Sequence, residues 1–249
     1  MPWSSVARAA SVTFAVVGVC GGAAASEQLP EGQIVDRVVA VVRLRSGAAT
    51  GRSAPEPGAA PLPADVITLS GLDFEARVAL VQRGALRAAT EPLDEEALRD
   101  ALEYAISERL LAGEADALDA WRVEAAEVET AVRAFRGRFR SSSEFSAFLA
   151  RHEADEQALA RVLERTLRAS KVLDSKVRLR AQVTEAEVRR YYDAHRAELG
   201  KSYEELRAAL REKLVRDRYQ QLAQAELEQL RRTHDVRRIA PFAQRGRAG

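Results

Sequence analysis

Between Pro92 and Pro241 the chain contains no proline. A proline inside a helix removes a backbone hydrogen bond and clashes with the preceding turn, so a stretch this long without one permits nearly uninterrupted helix. Six of the eight prolines and half of the 14 glycines lie before residue 64. The remainder is dominated by Ala, Leu, Glu and Arg, which are strong helix formers, while aromatic residues make up only 6%. These features predict a mainly α protein.

Apolar residues recur at helical spacing along the proline-free stretch. Leu93 to about Ala117 reads as one helix, with Leu98, Leu102, Ile106 and Leu110 on a stripe. Glu124 to Phe139 reads as a second, carrying Val128, Val132, Phe135 and Phe139. "SSSEF" caps a third, with Phe145, Phe148 and Leu149. A longer helix covers Glu153 to about Lys176 through Leu159, Leu163 and Leu167. Thr184 with Glu187 three residues on has the form of a capping box, and opens a helix ending near Gly200. The last runs from Ser202 to about Thr233, with Tyr203, Leu206, Leu210 and Leu214 on one face and Val215, Tyr219, Leu222 and Leu230 roughly opposite. Such a switch means two different packing partners along one helix, or a bend near Leu214. "HDVRRI" then closes as a short strand.

Ahead of these, "IVDRVVAVV" (Ile34 to Val42) and "DVITL" (Asp65 to Leu69) are β-branched runs that read as the strands of a hairpin. The Gly/Pro/Ala-rich residues 44–64 between them have nothing to bury and read as a flexible insertion. Next comes a short helix in "SGLDFEARVALVQRG", with Ser70 as N-cap, Asp73 in the reciprocal capping position and Gly84 as terminator. The architecture expected is a helical bundle with a short N-terminal β-hairpin and a C-terminal helix and short strand packing back on it. Residues 34–239 form one domain, closed by 184–239, between an N-terminal tail (26–33) and a disordered tail (240–249).

Residues 1–25 read as a signal peptide. Arg8 precedes the apolar run "SVTFAVVGVCGGAAA", and Ala23 and Ala25 place cleavage before Ser26. Cys20 follows Val19 rather than a small residue, which argues against lipidation. Cleavage removes the only cysteine and implies a periplasmic protein without disulfides. No later segment is apolar for long enough to span a bilayer. Thirty-eight basic residues against 37 acidic ones, with the signs interspersed, leave no basic stripe for nucleic acid.

Signals for catalysis are nearly absent. His152, His195 and His234 are too far apart in sequence to share a helical face, so no metal site is expected. There is no G-x-S-x-G and no phosphate-binding glycine loop, so no cofactor is expected, and the serines of "SSSEF" are explained by capping. Almost all of the carboxylates stand three or four residues from an Arg, the pattern of a solvated helix face. What remains is apolar: Phe74, Phe135, Phe139, Phe145 and Phe148 are read either as bundle core or as the lining of a groove for a client peptide.

Several segments carry a resemblance. "IVDRVVAVV" joined to "DVITLSGLDFEARVALVQ" resembles the N-terminal segment of the SurA-type periplasmic chaperones and related parvulin-like peptidyl-prolyl isomerases, whose fold is like the C-terminal domain of trigger factor. "ALEYAISERLLAGEA" resembles the family's next helix, and "VTEAEVRRYYDAH" the stretch leading into the parvulin domain. "SYEELRAALREKLVRDRYQQLAQAELEQLRRTHDVRRI" resembles the helix and strand on the far side of that domain. The parvulin domain itself would fall between Leu199 and Tyr203, where only Gly200, Lys201 and Ser202 stand. The resemblance therefore implies a chaperone scaffold without its isomerase. Its expected partners are unfolded or partly folded secreted or outer-membrane proteins. The alternative is a dedicated envelope or export assembly factor that binds one specific partner, a second copy in a homodimer included.

Overall fold

A computed structural model of the chain describes residues 36–44, 64–117 and 121–244. Two strands, β1 (Val38–Arg43) and β2 (Ala64–Thr68), precede α1 (Leu69–Gln82) and a single 3-10 turn at Ala88–Thr90. After them come α2 (Glu95–Ala117), α3 (Ala125–Arg136), α4 (Ser142–Arg151), α5 (Glu156–Val177), α6 (Glu185–Leu199), α7 (Tyr203–Thr233), β3 (Asp235–Arg238) and α8 (Pro241–Gln244). The protein is mainly α, with one small antiparallel sheet, as the sequence predicts. The signal peptide, the 26–33 tail and all of the insertion except Leu44 and Ala64 lie outside the described residues.

The sheet has the order β2-β1-β3. Val41 stands opposite Val66 on one side and Arg237 on the other, and the register shifts between Val38 and Ala40. Val39, Ala40, Val42 and Ile67 are buried against Leu102, Ile106 and Leu110 of α2, Val172 of α5 and Leu230 of α7. At the end of β1, Leu44 lies so close to α2 that a Cβ on Gly113 would stand 2.1 Å from it, so glycine is what allows this approach. The C-terminal segment packs back as expected. One expectation is corrected here: 240–244 are part of the fold, because α8 comes directly after β3 and buries Ala240 and Ala243 in the core under the sheet.

Capping explains most helix boundaries. Thr184 and Glu187 form the expected box at α6, Ser202 and Glu205 form another at α7, and Asp155 accepts from Ala158 N at 2.7 Å to start α5. The start of α1 differs from expectation. Its N-cap is Thr68, whose hydroxyl accepts from Gly71 N at 3.3 Å. Ser70 instead donates its hydroxyl to Asp36 at 2.5 Å, and Asp73 pairs with Arg77. Burial opposes ionisation of Asp36, but hydrogen bonds from the Ser70 and Thr68 side chains and from the Ser70 and Arg37 N–H groups hold its carboxyl at about 2.

α7 resolves the question its sequence poses. Its first half packs on α6, where Leu206, Leu210 and Leu214 join Val188 and Tyr192 in a cluster separate from the main core. Farther along, Leu227 and Leu230 join the core beneath the sheet. The apolar face changes because the partner changes. α6 and α7 meet through Gly200, at φ 64°, Lys201 and Ser202, and the Tyr192 hydroxyl donates to Lys201 O at 2.9 Å to brace the corner.

Candidate functional site

The five phenylalanines singled out in the sequence do come together. Phe135 and Phe139 lie 5.6 Å apart, Phe139 and Phe148 5.3 Å, Phe135 and Phe145 6.4 Å, and Phe74 and Phe148 6.4 Å between ring centres. They are 2% to 9% exposed, and Leu159 and Leu163 of α5 close the cluster. Of the two readings, core and groove lining, the packing corresponds to the first: the rings are buried and present no open groove. His152 seals the edge, 5.1 Å from the Phe148 ring and 6.5 Å from Phe74. Burial, together with the Arg77 guanidinium, lowers the imidazole below its ordinary 6.5, and Asp73 at 3.5 Å only partly offsets this. His195 stacks on Tyr191, and no cluster able to hold a metal occurs among the described residues.

The charges depart further from expectation. α2 carries buried apolar residues in several directions (Leu102, Ala105, Ile106, Leu110 and Leu111), so it is a central helix, and charges on it are enclosed. Glu108 and Arg109 are 5% and 7% exposed. Arg109 holds Glu75 of α1 with two bonds of 2.8 and 3.0 Å and reaches Asp65 of β2 at 3.2 Å. Arg165 of α5 pairs with the same Glu75 at 2.6 Å and approaches Glu108 at 3.7 Å. Burial opposes ionisation of Glu75, but the hydrogen bonds and charges of Arg109 and Arg165 prevail and lower it. Glu108 shows the reverse: burial, with Glu75 nearby, raises it despite Thr166, Arg165 and Tyr104.

This charged layer floors a groove between α1 and α2. The groove encloses about 220 Å³ and is walled by Ala76, Val78, Ala79 and Leu80 of α1, Leu93 just before α2, Ala97 and Ala101 near the start of α2, and Val162 of α5. Polar groups are few and placed at the floor and mouth: Glu75 and Glu108 below, Tyr104, Asp100, Gln82 and Arg83 around the opening. Tyr104 is 45% exposed, and its hydroxyl is pushed up to about 12 by burial of its inner part and by Glu108. A mostly apolar concavity with a few convergent polar groups is the arrangement expected of a binding site.

On the far side of the same layer a wider recess of about 540 Å³ is lined by Arg109, Arg161, Arg165 and Arg168. Asp65, Asp116 and Glu164 line it too; Arg168 is held by Asp116 at 2.7 Å, Arg109 by Glu75 and Asp65, and Arg165 by Glu75, so three of the four guanidiniums are engaged and the recess does not read as an anion site. The sequence reading missed Glu75, Tyr104 and Glu108. Two signals mark Glu108: its place on a helix whose apolar residues point in several directions, and the lack of an opposite charge three or four residues away.

Comparison of the chain with protein-family models, with curated proteins and with solved structures gave no match.

Proposed function

We propose that this chain is a periplasmic holdase, exported by a signal peptide cut after Ala25, that binds unfolded secreted or outer-membrane proteins without nucleotide and without prolyl isomerase activity. The groove between α1 and α2 carries the reading. It offers apolar walls to a client side chain and rim polar groups to the client backbone, and shallow contacts of this sort give weak, rapidly exchanging binding. Two sequence features support it: the leader-like N-terminus and the resemblance to the SurA-type scaffold. At the position where that scaffold would hold an isomerase, α6 passes into α7 through three residues. No helix among the described residues is long and apolar enough to cross a membrane.

A dedicated assembly factor is the second reading, and one observation favours it. Val38, Val66 and Ile239 are 36%, 46% and 49% exposed on the sheet strands and the residue next after β3, an apolar surface suited to one specific partner. Light scattering separates the two readings. The chain from Ser26 is mixed with chemically unfolded outer-membrane β-barrel proteins and with one unrelated soluble protein. Suppression of both kinds of aggregation at near-stoichiometric amounts is the expected result. Suppression of neither overturns the holdase and leaves the assembly factor, its partner to be sought by cross-linking.

A further inference from the structure

We infer that the groove between α1 and α2 takes a lysine side chain of a client together with one neighbouring apolar side chain, the lysine ammonium resting on Glu108. The inference builds on the client-binding reading of the groove and names the class of segment it accepts.

Three observations lead to it. Glu108 is 5% exposed and lines the groove; the Thr166 and Tyr104 hydroxyls and Arg165, on the side of Oε2, favour its ionised form, yet no donor reaches its Oε1 at hydrogen-bond geometry. A buried acceptor without a donor is costly, and a ligand that brings the donor gains what the protein alone forgoes. Second, the nearby guanidiniums are engaged elsewhere: Arg109 holds Glu75 and Asp65, and Arg165 pairs with Glu75 at 2.6 Å and stays 3.7 Å from Glu108. Glu108 is therefore left open to a cation brought by the ligand. Third, at the mouth Arg83 and Asp100 offset each other, and Tyr104 stands beside them half-exposed, so no net charge repels an entering cation.

Size and shape choose the ligand. A cavity of about 150 Å³ holds one benzene, so 220 Å³ accommodates about nine non-hydrogen atoms. A lysine side chain and an adjacent leucine side chain supply that number. The lysine stem is a plain methylene chain suited to walls of Ala79, Leu80, Leu93 and Ala97, and its ammonium is compact. A guanidinium brings five donors to a floor with a single open acceptor, and most would go unpaired.

The test uses fluorescein-labelled peptides, Gly/Ser-flanked, whose centre is Lys-Leu, norleucine-Leu or Gln-Leu. Binding is read by fluorescence anisotropy on the chain from Ser26, on Glu108→Gln and on Ala97→Phe. The wild type is expected to bind the lysine peptide about tenfold more tightly than the norleucine peptide. Glu108→Gln is expected to lose that preference while still binding norleucine, and Ala97→Phe, which fills the groove, to bind neither. Equal or tighter binding of norleucine or glutamine to the wild type overturns the assignment, as does an undiminished lysine preference in Glu108→Gln. Should Glu108→Gln not fold, the wild-type comparison decides alone. If lysine preference is absent yet clients stay soluble, the ligand assignment falls and the holdase stands. If no peptide binds and clients aggregate unhindered, both fall.

Discussion

Glu108 and His152 are both buried and titratable, and their linkages to folding have opposite signs. The folded pKa of His152 lies below its ordinary 6.5, so the unfolded chain takes up the proton first as pH falls. Its contribution is complete above 6.5 and is lost as pH drops through that value towards the folded one. Glu108 has a folded pKa above its ordinary 4.5, so its contribution is present below 4.5 and is lost as pH rises through the folded value. The imidazole is therefore isolated by difference. Urea midpoints taken from about pH 8 to about pH 5 should fall less steeply on acidification for His152→Gln than for the wild type. Identical slopes would show that His152 does not protonate preferentially in the unfolded chain. Arg77 makes a sharper prediction. It is 8% exposed, pairs with Asp73, and donates to Ala89 O at 2.7 Å and Glu91 O at 2.8 Å, tying α1 to the turn before α2. Arg77→Met should cost about 3 kcal/mol in urea unfolding, because it strands a carboxylate and two carbonyls. Arg77 and Asp73 have the four-residue spacing of a solvated pair, so only the tertiary arrangement reveals what Arg77 does. Glu75, Glu108 and Arg109 have no opposite charge three or four residues away, a departure from that pattern which the sequence reading passed over.

At the scale of elements, local chemistry was legible where the partner is local. Thr184 and Glu187, and Ser141 before α4, cap helices as their spacing predicts. Ser70 failed as a cap because Asp36, 34 residues upstream, takes its hydroxyl, a competition that no local window contains. Phe139 lies beyond the end of α3 at Arg136 yet remains 9% exposed, since the turn at Gly137 returns it to the same cluster. Phe135, in contact with three other rings and 2% exposed, is the keystone of that cluster. Phe135→Ala should destabilise by about 3–5 kcal/mol in urea or thermal unfolding. Gly200 is the corresponding point at the α6–α7 corner. A Cβ there meets nothing within 4 Å, but φ is 64°, so Gly200→Ala should cost only about 1 kcal/mol, a purely conformational effect. A much larger loss would mean that the corner packs against something more than itself.

For the molecule as a whole, the fold class came from the missing prolines and the helical periodicity, and the sheet from two β-branched runs and "HDVRRI". The groove was not legible in the same way, because a concavity walled by Ala76, Ala79, Ala97 and Ala101 consists of what small residues leave unfilled, and alanine also marks ordinary helix. Phenylalanines attracted the functional reading, and the structure buries them in the core. The claim that the groove is where clients bind is tested most directly with Ala97→Phe, since Ala97 belongs to the groove wall and to none of the three buried clusters. Aggregation of an unfolded outer-membrane protein is monitored with the wild-type chain and with this variant, each first shown to have the same helicity and urea midpoint. The account predicts that the wild type keeps the client soluble and that Ala97→Phe loses most of that capacity; equal suppression by the two would contradict it.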